Sequence, residues 1–187
     1  MPMRFPNLQS VALPATLVEF RPGRLHPSGI RYLPLLVLRL ANGLMLGVVD
    51  RHHRVDARDA GHAGTARLVF QLSSISMQPP DQQRSGIVAG PHERGAWSSA
   101  PTAYGQIVAI PTWEQHHNLR HATVYTEIIV NVGAGTIGLR TNITDDVADD
   151  LFADDDEPTT IVPLAVGDWV LLCNSRIDIL EFGRDTE

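Results

Sequence analysis

The segment Leu164–Gly183 limits the possible folds more than any other part of the chain. It contains a Gly167-Asp168 turn, an apolar run at Trp169–Cys173, a break at Asn174-Ser175 and a second apolar run at Arg176–Phe182. Polarity in the second run alternates with a period close to two, which is typical of β-strands. We therefore predict two consecutive strands that pair with each other as a closing hairpin.

The alternation in the second run also predicts which side chains share a face. One side of the strand holds Ile177, Ile179 and Glu181, and the other holds Arg176, Asp178, Leu180 and Phe182. This assignment follows from the way successive side chains point to opposite faces of a strand.

Two further pairs of apolar runs flank glycine-containing turns and predict β-hairpins. Asn42-Gly43 is a strong hairpin signal because both residues tolerate positive φ values, and Gly133–Gly135 forms the second turn. The chain also has 13 Pro and 15 Gly residues, which favours many turns over long helices. We predict an all-β fold. The runs that flank the two turns are Leu33–Leu40, Leu44–Asp50, Ala122–Val132 and Thr136–Thr141.

One short acidic helix interrupts this pattern. We predict it over Asn142–Ala153, with Asn142 or Thr144 as N-cap and acidic residues in the first turn, where the helix dipole favours them. The run Asp154–Glu157 ends the helix, and Pro158 prevents its continuation.

The order of predicted strands and turns is similar in the two halves of the chain. Ala66–Met77 resembles the segment around Trp169–Leu180, with Ser73 aligned to Ser175 at the break. Residues 79–103 between the halves are rich in Pro, Gly, Ser and Gln, as in a linker or a long loop. We predict β-barrel halves at residues 1–78 and 104–187, joined by 79–103. A single larger barrel is the alternative.

The C-terminal segment contains a Leu-x-Val-Gly-Asp-x-Val turn and strand, followed by Asn-x-Arg-Ile and an aromatic-Gly pair. In this pattern it resembles the last two strands of replication-protein-A-like OB domains. The resemblance implies a five-stranded OB-like β-barrel, one or two in tandem, with a helix between the third and fourth strands. It also implies binding of single-stranded nucleic acid. The residues that carry it are Leu164, Val166, Gly167, Asp168, Val170, Asn174, Arg176, Ile177, Phe182 and Gly183.

Charge is divided unequally along the chain. Residues 1–100 have a balance of +5 and residues 101–187 a balance of −11, and all fifteen basic residues are Arg. A protein that binds single-stranded nucleic acid requires cations along the path of the phosphate backbone and flat rings that stack on the bases. Phe20, Tyr32, Phe70 and Trp97 are the candidate rings. We predict a nucleic-acid site in the first half, made of Arg21, Arg24, Arg31, Tyr32, Arg39, Arg51, Arg54, Arg58 and Arg67.

A protein–protein or assembly module is the main alternative function. The acidic run Asp145–Glu157 is suited to docking a basic partner, or the Arg-rich half of another copy. In this alternative the protein forms a homo-oligomer or binds a basic protein.

Two groups of His and acidic residues raise the further alternative of a metal-binding enzyme. Neither group has the spacing of a known ligand set. The sequence lacks a G-x-S-x-G elbow and a P-loop, so we expect a non-enzymatic protein without catalytic residues or cofactors. The first group is Asp50, His52, His53, Asp56, Asp59 and His62, and the second is Glu114, His117 and His121.

The expected compartment is the cytoplasm. No apolar run approaches the roughly 18–20 residues of a membrane span, and residues 1–10 lack the apolar core of a signal peptide. The single Cys173 excludes an internal disulfide, which fits a reducing environment. We expect no membrane association.

Overall fold

The structure is a computed structural model that describes residues 8–71, 73–110, 125–142 and 164–185. This part of the chain is all-β, and its helical structure is limited to 3-10 turns at Leu8–Ser10 and Ala57–Asp59. The predicted fold class is therefore confirmed. The strands are β1 Leu13–Arg21, β2 Leu35–Leu40, β3 Met45–Val49, β4 Ala63–Gln71, β5 Ser74–Met77, β6 Gly86–Val88, β7 Thr102–Ala109, β8 Tyr125–Asn131, β9 Thr136–Asn142, β10 Trp169–Cys173 and β11 Arg176–Arg184.

Five strands form a closed barrel in the order β1-β2-β3-β11-β4, and β4 pairs back onto β1. The first three strands are a meander, and the β2–β3 turn is the predicted Asn42-Gly43, with φ 84° at Gly43. β11 lies between β3, to which it is parallel, and β4, to which it is antiparallel. This closed five-stranded barrel is consistent with an OB-like fold.

A second set of strands continues the same sheet. β7, β8 and β9 form another antiparallel meander, with the predicted Gly133–Gly135 turn between β8 and β9. β9 runs parallel to the end of β4, while β10 pairs with both β7 and β5. The short strand β6, within the segment predicted as a linker or long loop, pairs with the start of β7.

The two strand sets are joined where the segment that contains β4 and β5 crosses the segment that contains β10 and β11. Gln71 pairs with Arg176, and Ser74 pairs with Cys173, in one continuous antiparallel register. At the crossing, the hydroxyl oxygens of Ser73 and Ser175 lie 2.7 Å apart. The two residues that the sequence comparison aligns are therefore in contact.

This arrangement corrects the interpretation of the C-terminal segment. Trp169–Cys173 and Arg176–Phe182 are strands, as predicted, but they do not form a hairpin with each other. β10 pairs with β5 and β7, and β11 pairs with β3 and β4. The break at Asn174, with φ 57°, carries the chain from one strand set to the other instead of reversing it. The domain boundaries at 78 and 104 remain a prediction, and strands of the two predicted halves pair with each other.

The barrel interior is filled by alternate residues of its strands, including Leu36, Leu46, Leu68 and Phe70. Strict alternation fails in β11, where the register shifts between Ile179 and Glu181. Because the bulge adds one residue, Phe182 joins Ile179 in the main core, and Leu180 packs against a separate small cluster. The predicted sharing of a face by Leu180 and Phe182 is therefore wrong.

Several predictions fall outside the described residues. These are the helix over Asn142–Ala153 beyond its first residue, the acidic run Asp145–Glu157, and the group Glu114, His117 and His121. Within the described ranges, no helix has the length and apolar character needed to cross a membrane. Cys173 is a half-buried free thiol.

Candidate nucleic-acid interface

The outer face of β1, β2 and β3 is defined by their register. Leu36, Leu38, Leu46 and Val48 point into the core, so the intervening residues point outwards. Three outward rows cross the strands, and the first and last carry exposed arginines. The rows are Thr16, Arg39 and Met45; then Glu19, Val37 and Gly47; then Arg21, Leu35 and Val49.

The centre of this face is covered by Trp97, from the loop before β7. A Cβ atom on Gly47 would overlap the indole ring, so only glycine allows this close approach. The backbone of Ser98 bonds to β3 on both sides, donating to Met45 and accepting from Gly47 at 2.8 Å each. The guanidinium carbon of Arg21 lies 4.4 Å from the centre of the Trp97 ring. Trp97 is therefore held between strand β3 and a cation.

Glu93 fixes the loop that carries Trp97. Its carboxylate accepts backbone N–H bonds from Gly90 at 2.9 Å, Ser99 at 2.6 Å and Ala100 at 2.8 Å, and the hydroxyl of Ser98 also donates to it. Partial burial opposes ionisation, but these hydrogen bonds outweigh it and lower the pKa of Glu93.

Residues Arg24–Tyr32 form a projecting hairpin between β1 and β2. Leu25 pairs with Arg31, and the backbone N–H of His26 donates to the carbonyl of Ile30 at 2.7 Å. The Arg31 guanidinium donates to the carbonyl of Gly23 at 2.9 Å, which ties the hairpin to its base. These bonds give the hairpin a defined shape although its side chains are exposed.

The loop after β3 lies at the same end of the barrel as the projecting hairpin, since the N–H of Asp50 donates to the carbonyl of Pro34 at 3.1 Å. Asp50 is buried, and its carboxylate accepts the N–H groups of Arg54 and Val55 at 3.0 Å each. Asp50 therefore shapes the loop that presents Arg51 and Arg54.

Four of the eight predicted arginines are paired with carboxylates. Arg58 lies 2.7 Å from Asp56 and lowers the pKa of that carboxyl to about 2 through hydrogen bonds. Arg21 likewise lowers the pKa of Glu19 through a side-chain hydrogen bond. These pairs cancel much of the positive charge locally. The N–O distances are 2.6 Å for Arg21–Glu19, 3.0 Å for Arg51–Asp178, 2.7 Å for Arg58–Asp56 and 3.6 Å for Arg67–Glu181.

The other four arginines have no carboxylate within ion-pair distance among the described residues. They are Arg24, Arg31, Arg39 and Arg54, and all are exposed. Arg24 lies opposite Tyr32 in the hairpin register, and the Tyr32 ring is 58% exposed and meets His26 edge-on at 5.8 Å. The structure thus brings together cations and a ring at the hairpin end of the barrel, with Arg39 farther along the outer face.

The remaining candidate rings are not available to a ligand in the same way. Phe70 is fully buried in the core, and Phe20 is packed against it. The sequence alone gives no sign that Trp97 lies on β3, because the signal is the absence of a side chain at Gly47, which is also common in turns.

The first group of His and acidic residues serves structural roles where its contacts are visible. Asp56 caps the 3-10 turn, and Asp59 pairs with Arg184. Among the residues that the structure describes, no group of three His, Cys, Asp or Glu side chains is placed to hold one metal ion. The metal hypothesis for Glu114, His117 and His121 concerns residues outside that part.

A buried polar cluster at the strand crossing was not predicted. Asp178 is 1% exposed and accepts from Arg51 at 3.0 Å and from the Gln71 amide at 2.8 Å. Arg176 lies 3.4 Å from the same carboxylate and donates to the Gln71 oxygen at 2.6 Å. The cluster connects the loop between β3 and β4 with strands β4 and β11, and it therefore fixes the position of the C-terminal strand in the barrel.

Comparison with protein-family models, curated proteins and solved structures gave no match.

Proposed function

We propose that this protein binds single-stranded nucleic acid at the hairpin end of the closed barrel and along the outer face of β1–β3. The observation that carries the proposal is the set of unpaired cations beside an exposed ring. Arg24, Arg31 and Arg54 are exposed without a carboxylate partner in the described part of the chain, and Tyr32 lies on the same face of the hairpin as Arg24.

The chemistry of these groups fits the ligand. A guanidinium without a carboxylate partner binds a phosphate without first breaking an ion pair, and its planar fork matches the phosphate oxygens. An exposed tyrosine ring offers a stacking surface to a base, which is worth about 1–3 kcal/mol per base in such complexes. Arg39 extends the basic surface past Trp97.

The paired arginines have a smaller part in this proposal. Arg58 is bound by Asp56 on the loop that follows β3, so its charge attracts a phosphate weakly. Arg67 is mostly buried between Glu181 and the carbonyl of Val11. We assign these two residues to the scaffold, and we place the predicted site on the other predicted residues.

We also propose that the chain is a tandem pair of related barrels that share the crossing strands. Ser73 meets Ser175, and the pairs Gln71–Arg176 and Ser74–Cys173 are related by exchanging the two segments. Gly47 and Gly138 are each the third residue of the third strand in their meander. In this proposal only the first barrel presents the basic surface.

The experiment is fluorescence anisotropy with labelled single strands of about 15 nucleotides, a length within the usual range for one OB-type barrel. Wild-type protein should bind at low salt, and the Arg24→Gln/Arg31→Gln variant should bind about tenfold more weakly per lost phosphate contact. Arg58→Gln is the matched control for Arg24→Gln and Arg31→Gln taken singly, because it removes one charge from a site paired with Asp56. Absence of binding at micromolar wild-type protein would refute the proposal.

A further inference from the structure

The projecting hairpin carries more exposed apolar surface than a nucleic-acid site requires. Leu25 is 63% exposed, Ile30 is 69% exposed and Tyr32 is 58% exposed, and Leu33, the residue that follows the hairpin, is 37% exposed. Isolated exposed apolar side chains are ordinary, but four within nine residues give this region apolar surface of the kind that marks protein interaction sites. The backbone hydrogen bonds of the hairpin hold these side chains in a defined arrangement.

The hairpin register assigns these side chains to two faces. Leu25 pairs with Arg31, which places both on one face. Arg24 and Tyr32 then face the other way, together with His26 and Ile30, in agreement with the edge contact between the His26 and Tyr32 rings. Each face therefore combines an arginine with exposed apolar atoms, and neither arginine has a carboxylate partner among the described residues.

A complementary partner must supply both carboxylates and apolar side chains within a short stretch. Phosphates supply the charge but nothing that buries Leu25 or Ile30. The chain itself contains such a stretch: Asp145–Glu157 has eight acidic residues among thirteen, interspersed with Val147, Leu151 and Phe152. Complementary charge guides and orients such an association, and burial of the apolar side chains adds affinity.

We propose that the projecting hairpin is a docking surface for the segment Asp145–Glu157 of a second copy of this chain. The segment contacts both faces of the hairpin across its edge. Its carboxylates pair with Arg24 on one face and Arg31 on the other, and its apolar side chains cover Ile30 and Leu25. This inference does not depend on nucleic-acid binding. The two ligands share the arginines, but only the protein segment uses Leu25 and Ile30.

The first test measures the mass of the full chain by light scattering across protein concentration and salt. Wild-type protein should self-associate at low salt and dissociate as salt rises, because exposed charges are screened. Leu25→Ser/Ile30→Ser should weaken self-association by about tenfold or more per side chain. Val108→Ser/Val166→Ser is the matched control, since those two side chains are 42% and 61% exposed outside the hairpin. The control should associate like wild type.

The second test uses complementation between two defective chains. One chain carries Leu25→Ser/Ile30→Ser, and the other has every acid of Asp145–Glu157 replaced by its amide. Each should be monomeric alone, and their mixture should form a heterodimer through the one remaining intact contact. A monomeric wild type at every salt and concentration would overturn the inference. So would self-association that the hairpin substitutions leave unchanged, or a mixture that stays monomeric.

Oligonucleotide binding separates this inference from the proposed function. Leu25→Ser/Ile30→Ser should bind labelled oligonucleotide with wild-type affinity because Arg24, Arg31 and Tyr32 are retained. Loss of self-association with unchanged oligonucleotide binding supports both proposals independently. Equal loss of both would show that the apolar side chains are not specific to protein docking and would overturn the assignment made here.

Discussion

Replacing Ile179 by alanine should destabilise the whole β structure. Ile179 is fully buried in β11, the C-terminal strand that closes the barrel formed by the N-terminal strands. It pairs with Leu68 of β4, close to the crossing that joins the two strand sets. The substitution therefore removes core volume where both sets depend on the same strands.

The expected cost follows from the size of the cavity. Ile-to-Ala substitutions at fully buried positions cost about 2–5 kcal/mol, because the apolar transfer energy is lost and the cavity refills only partly. Small domains have a total stability of about 5–15 kcal/mol, so the variant should lose a large fraction of it. Because β11 pairs with β3 and β4, and β4 also pairs with β9, the loss should be felt in both strand sets.

The assay is denaturant unfolding followed by far-ultraviolet circular dichroism and by tryptophan fluorescence. The chain has three tryptophans, so the fluorescence is measured on single-tryptophan chains with the other two replaced by Phe. Trp97 then reports on the first barrel and Trp169 on β10. The two signals should give coincident transitions for wild type and for Ile179→Ala, with the midpoint of the variant lowered. Val166→Ala is the control, since Val166 is 61% exposed and such surface changes stay within about 0.5 kcal/mol.

Two results would refute this reasoning. A cost for Ile179→Ala no larger than that of the control would mean that β11 is not packed in the barrel core. Separate transitions by the two signals would mean that the strand sets unfold independently, which the crossing at Ser73 and Ser175 does not allow.

Three further predictions concern the halves and the loop that covers β3. A chain of residues 1–103 should lack native β structure by circular dichroism because β11 is missing. Adding residues 104–187 as a second chain should restore that structure. A fragment 1–103 that folds alone would contradict the closure of the first barrel by β11. Gly47→Val should displace Trp97, because a Cβ there overlaps the indole, with a cost of about 1–3 kcal/mol in unfolding and a red-shifted emission; an unshifted emission would be inconsistent with the packing described. The pKa of Glu93 is lowered in the folded state, so its stabilising contribution is complete above its usual value of 4.5 and is lost as pH falls through the folded value. Protection factors for amide exchange over residues 90–100, which correct for the intrinsic slowing of exchange in acid, should therefore fall on acidification more in wild type than in Glu93→Gln. Equal behaviour of the two proteins would remove Glu93 from this role.

The strands and turns were predictable because they depend on local sequence. Asn42-Gly43 marks a hairpin through its tolerance of positive φ, and alternation in the flanking runs identifies strands. Leu36 and Leu38 in β2, and Leu46 and Val48 in β3, all reach the core in this way.

Strand partners were not predictable, because alternation reveals which residues are buried but not which strand lies alongside. Trp169–Cys173 and Arg176–Phe182 are adjacent in sequence, so a hairpin is the expected pairing. Their separation into different neighbours depends on long-range contacts such as that between Ser73 and Ser175. The bulge near Leu180 likewise moves the Phe182 side chain to the opposite face of the strand, and period-two patterning contains no signal for a bulge.

The residue types of the candidate site were predictable, but which of its arginines form ion pairs was not. The Arg-rich first half is evident from composition, but Arg51 pairs with Asp178, which is 127 residues away in the sequence. Such pairing separates the structural arginines from Arg24, Arg31, Arg39 and Arg54. Only the folded arrangement distinguishes the two groups.

The salt dependence of oligonucleotide binding tests the central claim most directly. For single-stranded nucleic acid, each lost phosphate contact should reduce the magnitude of the slope of log binding constant against log salt concentration by about 0.7. Arg24→Gln/Arg31→Gln should therefore lower the slope by about 1.4 relative to wild type, while Arg58→Gln should leave it nearly unchanged. Absence of binding by the wild-type protein, or equal slopes for wild type and the double variant, would contradict the assignment of these unpaired arginines to a phosphate-binding surface.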